Sequence, residues 1–497
     1  MENVFNKRIL YIAYFYPPLG GPGVQRPVKT IKYLKKNGWD VDVLTVSDIL
    51  FHSYDYELLK ESCADNIYRT DSLDLMRIYK KFKCRDAACH VQNCSGDSQS
   101  SKSDNRLYFN TSEKKKRLIR GLFPIDDKIG WFPYACKKAL SLIKEKKYTA
   151  IIATTGPHTS GMLAYYLHKK TNIPYFIDYR DHWTLETYPR YLFKFLLLHA
   201  RYCEKKMLEN ARGVFTVSEL KKEKMITHFG EYLRDKIECV YNGFDEEDFV
   251  DRGFTGASQG ATSLTGVSLC DTFCEAPVRS TPCAKHPYKR SLSLCEAPLH
   301  IRYVGGFSGH RSVEYFIQAL KELKASNEIP DNVVIEFIGN YFVETLSWLN
   351  SSDLIDIIRI VPQVTHLKAV NYMQSANLLL LFVSTAEGED FLPGKVFEYI
   401  RSNVPILAMV PENGEPAMIL RKLGHKYICN MEDVESIKCF LKDFFIENAR
   451  RGHVPMSNSC SNQESNCQSS IVNYNKYSRE NQSQIFIDFL KRKLYNV

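Results

Sequence analysis

Four short strings in the sequence set ionisable side chains or bare backbone where a charged ligand would need them. Pro393-Gly394-Lys395-Val396-Phe397-Glu398-Tyr399 opens a helix, so Lys395 and Glu398, three apart, share a face near its N-terminus. An ammonium beside a helix start at Gly394 suits a pyrophosphate, and a carboxylate suits the paired hydroxyls of a ribose. A surface ion pair between the two is the plainer alternative. Gly20-Gly21-Pro22-Gly23 lets the backbone at Gly21 and Gly23 approach a phosphate, or serves only as a tight packing turn. It is not the dinucleotide fingerprint, because the sixth position is Arg26 rather than glycine. Asp178-Tyr179-Arg180-Asp181-His182-Trp183 gathers polar groups at a strand end, either lining a cleft or tied down by an Arg180 salt bridge. His158, in Thr154-Thr155-Gly156-Pro157-His158, follows another strand and is either structural or a site residue.

The elements that position these strings alternate apolar runs with helical patterns. Strands are expected at 9–16, 41–46, 150–154, 175–178 and 213–217, and a helix carries Val24, Val28, Ile31 and Leu34 until Gly38 stops it. The second half repeats the scheme, with strands at 301–304, 333–338, 357–361, 378–383 and 406–409. Strands separated by helices imply an α/β fold of two doubly wound parallel sheets, with ligands beyond the carboxyl ends of the strands. The expected division is a first domain over 1–245, a low-complexity linker over 246–299 and a second domain over 300–497. Polar insertions are expected at about 84–116 and 452–470.

With 497 residues, 44% hydrophobic and 25% charged, the composition is globular and excludes a disordered, collagenous or coiled-coil chain. The net charge of +9 is too dilute to imply nucleic-acid binding, yet it is compatible with nucleotide phosphates or an anionic membrane face. A basic and apolar stretch, Lys114 to Phe123, is a candidate for that membrane contact. No apolar run is long enough to span a bilayer, and Pro17 and Pro18 after the first apolar run favour a strand over a signal peptide. Fifteen cysteines, several in strand-like runs, are expected to be reduced thiols in a cytoplasmic protein. Cys84, Cys89, His90 and Cys94, and Cys270, Cys274, Cys283, His286 and Cys295, lack paired zinc-module spacing. No metal site is therefore expected.

Taken in order, the strings resemble retaining glycosyltransferases of family four, which are built on the two-domain GT-B fold. The match runs from Tyr14-Phe15-Tyr16-Pro17-Pro18 and the glycine turn through Asp178 to Trp183 and Val240-Tyr241-Asn242-Gly243-Phe244-Asp245. It continues with Tyr303-Val304-Gly305-Gly306, Phe397-Glu398-Tyr399 and Pro405-Ile406-Leu407-Ala408. The resemblance implies two Rossmann-like domains facing across a cleft, a nucleotide-sugar donor on the second and a glycan or lipid-linked acceptor on the first. It also implies transfer with retention, no metal or other cofactor, and a place in surface polysaccharide biosynthesis; from the reduced thiols and the basic stretch, the expected location is the cytoplasm, with peripheral contact at the inner face of the membrane.

Carried over residue by residue, Glu398 matches the second glutamate of the family's Glu-x7-Glu motif, with Asp390 in place of the first. Gly306 stands where the family often has arginine, which leaves Lys395 seconded by Arg311 as the expected phosphate cations. The donor-binding set is then Gly21, Gly23, Gly305, Arg311, Asp390, Gly394, Lys395 and Glu398, and the catalytic set His158, Arg180, Asp181 and Lys395. A GT-B epimerase, or a GT-B protein that binds a nucleotide sugar or scaffolds without catalysis, remains the alternative.

Overall fold

A computed structural model describes residues 7–47, 54–73, 121–185, 191–249, 297–307, 311–341, 343–350, 352–451 and 474–495. The expected insertions, both cysteine clusters, nearly all of the linker and residues 114–120 of the basic stretch lie outside the described residues.

The first sheet comprises β1 (Arg8–Ile12), β2 (Asp40–Val46), β3 (Asn66–Thr70), β4 (Ala150–Thr154), β5 (Tyr175–Tyr179), β6 (Gly213–Thr216) and β7 (Ile237–Cys239). Its order is β3-β2-β1-β4-β5-β6-β7, with every pairing parallel. The second sheet comprises β8 (Leu299–Val304), β9 (Val333–Ile338), β10 (Ile358–Val361), β11 (Leu378–Phe382), β12 (Ile406–Met409) and β13 (Ile428–Cys429). Its order is β10-β9-β8-β11-β12-β13, again parallel. The chain reverses its march across each sheet, between β1 and β4 and between β8 and β11. Those two reversals are the switch points where a doubly wound sheet opens a crevice.

The strands read as apolar runs because helices cover both faces. Along β11, Leu378, Leu380 and Phe382 enter one core while Leu379, Leu381 and Val383 enter another on the opposite face. The strand expected over 9–16 ends at Ile12. Ala13 N–H makes a last bond to Leu44 O, and the Thr45 hydroxyl takes the carbonyl of Tyr14, so the chain turns out of the ladder. The helix Pro22–Lys36 then starts with proline in its first turn, where a missing N–H costs nothing, and Gly38 at φ +76° follows its end.

One helix crosses over. Residues 479–495, expected within the second domain, bury Phe486, Ile487, Phe489 and Leu490 in the core of the first. Phe486 stacks on Phe215 at 3.8 Å between ring centres, and Phe489 meets it edge-on at 5.2 Å. Gly213 makes room, since a Cβ there would lie 2.6 Å from the Phe489 ring. The crossing segment runs beside residue 244, with Phe244 N–H bonded to Tyr477 O and Arg479 N–H to Phe244 O. Two strands of chain therefore join the domains side by side.

Candidate functional site

At the first switch point the loops after β1, β4 and β5 meet. Gly21, at φ 96° and ψ 168°, turns the chain into the helix Pro22–Lys36. Arg180, after β5, donates to Gly23 O at 2.6 Å and Gly156 O at 3.1 Å, tying the glycine turn to the loop that carries His158. A Cβ on Gly23 would stand 2.4 Å from the Arg180 Nη1, so glycine is needed for this close approach. Arg180 is thus a loop tie through carbonyl oxygens, with Asp181 only loosely paired at 3.9 Å and its side chain 57% exposed. His158, buried before the helix Thr159–Thr171, stacks on Trp183 at 5.1 Å with an interplanar angle of 6°.

Beneath these loops lies a layer of buried charge that the motifs alone did not announce. Arg26 pairs bidentately with Asp178, at 2.7 Å for the closest contact, with the two side chains 4% and 0% exposed. The same guanidinium donates to Val240 O at 3.0 Å and Asn242 Oδ1 at 3.3 Å, joining the first helix to β5 and the chain after β7. Glu204 is equally deep. It accepts hydrogen bonds from the Tyr179 hydroxyl and from the Thr184 amide and hydroxyl, fixing the loop between them. A signal existed: in the helix Lys194–Asn210, Glu204 falls on the buried stripe of Ala200, Cys203, Met207 and Leu208.

Burial pushes the Glu204 carboxyl from its ordinary 4.5 up to about 8. A folded pKa above the unfolded one means the native state keeps the extra proton. This group's stabilisation is therefore complete below about 4.5 and lost as pH rises through about 8. Glu204→Gln should remove that decline, whose limit for one proton is about 1.4 kcal/mol per pH unit. Urea unfolding at a series of pH values checks it, and an unchanged profile would place the titration elsewhere.

At the second switch point Lys395, half-buried at the start of the helix Lys395–Arg401, lays its ammonium 3.7 Å from the centre of the Tyr303 ring. Nζ donates to Val304 O at 3.3 Å, and Gly305 at φ +134° passes so close that a Cβ there would lie 2.8 Å away. No carboxylate among the described residues forms a salt bridge with it. Desolvation, with the nearby Arg311 charge, holds the ammonium well below the usual lysine range. Arg311 lies against Glu387 at 2.9 Å with its guanidinium 5.1 Å from the Phe391 ring.

Lys395 and Glu398 share a helix but no ion pair. Glu398 turns to His366 at 3.8 Å, and His366 also reaches Asp248 at 3.2 Å and Gln25 of the first domain at 3.1 Å. Asp390 is engaged across the cleft by His182 at 2.6 Å and Lys224 at 3.3 Å. Burial acts to raise the Asp390 carboxyl, but the His182 hydrogen bond and charge, with Lys224, hold it below the usual carboxylate range. Glu415 is engaged across the cleft too, accepting from Ser218, the amides of Glu219 and Leu220, and Tyr241. Gly394 packs beside Asn242. The structure therefore gathers Gly305, Arg311 and Lys395 on one wall and Gly21, Gly23, His158, Arg180 and Asp181 on the other. Asp390 is placed between them.

Two parallel sheets with facing switch points, joined by a double crossing, define the architecture. The fold is GT-B. A crystal structure of a glycosyltransferase from Rickettsia africae ESF-5 superposes with a TM-score of 0.53 at 12% identity, covering 99% of this chain and 100% of that one. The N-terminal domain of a Candida albicans trehalose-6-phosphate phosphatase gives 0.58 at 13% identity, covering 98% and 97%. The family model described as Glycosyltransferase Family 4 matches residues 94–248, nearly all of them in the first GT-B domain. No curated protein matches by sequence. Among the described residues, no helix of this GT-B chain is long and apolar enough to cross a membrane.

Proposed function

We propose that this GT-B chain transfers a sugar from a nucleotide-sugar donor to a glycan or lipid-linked acceptor, with retention and without a metal, in surface polysaccharide assembly. The observation that carries the reading is Lys395: a desolvated ammonium, beside backbone left open by Gly305, with no carboxylate salt bridge to a described residue. Such a cation is complementary to a phosphate. When the glycosidic bond breaks, negative charge grows on the departing nucleoside diphosphate, and Lys395, seconded by Arg311 and the helix start at Gly394, stabilises it. Glu398 holds the ribose hydroxyls. The incoming hydroxyl, attacking on the leaving-group face, passes its proton to the departing phosphate. His158 and Asp181 line the sugar and acceptor side, while Arg180 positions the loops that carry them.

A binding protein without turnover is the second reading, favoured by the engagement of Asp390 with His182 and Lys224 and of Arg311 with Glu387. Incubation of the full chain with a panel of nucleotide sugars separates them. Release of nucleoside diphosphate supports transfer. Thermal stabilisation by a donor with no release supports the binder, and conversion of the sugar with the nucleotide still attached would indicate an epimerase.

A further inference from the structure

The crossing helix begins at Arg479, and that residue brings an uncompensated charge to the back of the first domain. Arg479 is only 8% exposed, yet its guanidinium forms no hydrogen bond or ion pair with a described residue. Its backbone N–H alone is engaged, by Phe244 O at 2.6 Å. Five N–H donors and a full charge inside a protein are costly without an acceptor. Burial holds the guanidinium below the usual arginine range, and Glu398, Asp245 and Asp248 act on it only from beyond ion-pair distance. The neighbouring cations differ. Arg26 is satisfied by Asp178, and Lys29 by Glu61 and Asp245 at 2.9 Å each and Asp248 at 3.2 Å.

Arg479 lines a recess of about 270 Å³, its mouth included, between the first helix, the chain after β7 and the crossing helix. Three cations line it, Arg26, Lys29 and Arg479, and no carboxylate does. Thr30 and Ser483 add hydroxyls that form no hydrogen bond with a described residue, and Asn242 adds an amide whose oxygen already accepts from Arg26. Each of these unengaged groups can donate a hydrogen bond. Gly305, Arg311, Lys395 and Glu398 of the second domain do not line the recess, so it is separate from the donor wall. The longer-range carboxylates already offset part of its positive potential, which leaves room for a single negative charge rather than two.

We infer that this recess binds one small monovalent inorganic anion, such as chloride, held by the Arg479 guanidinium with Thr30, Asn242 and Ser483. Such a site does not depend on the donor chemistry proposed above. It lies where the two strands of chain pass between the domains, so the bound anion braces residues 240–242 against residues 479–483. The first helix is tied into the same brace through Thr30. Occupancy therefore stiffens the crossing from which both walls of the cleft are hung.

Thermal melting of the full chain in sodium chloride, against sodium gluconate at equal ionic strength, tests the site. Both salts screen charge alike, while gluconate is too bulky to enter the recess. Chloride should raise the parent's midpoint by about 2–4 °C over gluconate and then saturate, as binding to the native state requires. Arg479→Met should erase that difference, and in gluconate it should melt above the parent, because it no longer buries an unpaired cation. The NMR line of chloride should broaden with the parent and stay narrow with the variant. Should Arg479→Met fail to fold, Thr30→Val replaces it and should weaken chloride about fivefold, for one lost hydrogen bond. Equal melting of the parent in the two salts would mean that water alone fills the recess, and overturns the proposal. So does a chloride effect that persists undiminished in the variant.

Discussion

Lys395→Met should lower kcat on the order of a hundredfold while donor KM rises much less, since the ammonium meets charge that appears only as the phosphate departs. Methionine keeps the stem that packs on Tyr303 and removes a charge that burial disfavours, so melting should stay near parental. Donor binding should also follow pH in a defined direction. The free ammonium is depressed by burial and by Arg311, and a bound diphosphate would raise it, so binding takes up a proton. Affinity should then fall as pH rises through the free-state pKa, and the dependence should vanish in the methionine variant. Calorimetry in buffers of different ionisation enthalpy reads that proton directly. Parental kcat and an unaltered pH profile would remove Lys395 from the donor site.

Asp178→Ala should be the most destabilising single substitution at the first wall, by about 3–5 kcal/mol, because it leaves the Arg26 guanidinium buried and uncompensated. Against a typical total of about 5–15 kcal/mol that is a large fraction. Replacing both residues, Arg26→Met with Asp178→Leu, should cost less than Asp178→Ala alone, since no stranded charge remains. Urea midpoints for the single and double variants decide it. Additive losses would mean that the pair is not coupled. Because Arg26 also holds Val240 O and Asn242, the single variant should loosen the chain where it leaves the first domain.

Much of the architecture was legible because buried parallel strands leave an unmistakable record. The runs at 150–154, 333–338 and 406–409 needed no correction, since both of their faces are covered and every position but Glu336, which pairs with Arg302, is apolar or small. β3 was not legible, and β7 and β13 showed only as strand-like runs around Cys239 and Cys429, for the opposite reason. They are edge or near-edge strands, β3 partly exposed and β7 and β13 only three and two residues long, so no period of two can establish itself. At the site, residues declared by local pattern could be found: a glycine turn after a strand, a lysine opening a helix, a polar cluster at a strand end. Partners distant in sequence could not. Nothing near Asp390 points to His182, 208 positions away, nor anything near Glu415 to Ser218. Arg26 illustrates the boundary between the two. Its place in the string excluded one ligand motif, but its pairing with Asp178 is a product of the β1–β4–β5 arrangement rather than of spacing.

The crossing helix has a consequence for how the polypeptide matures. The first domain's core is open along β6 until Phe486 and Phe489 arrive against Phe215. Those two rings leave the ribosome only after the entire second domain has been made. The amino-terminal half must therefore wait during synthesis with an apolar flank uncovered, while the carboxy-terminal half, whose cores draw on residues between 244 and 477, can close first. Nascent chains halted before residue 479 should accordingly protect the later half from protease sooner than the earlier one, inverting the usual order in which domains are completed.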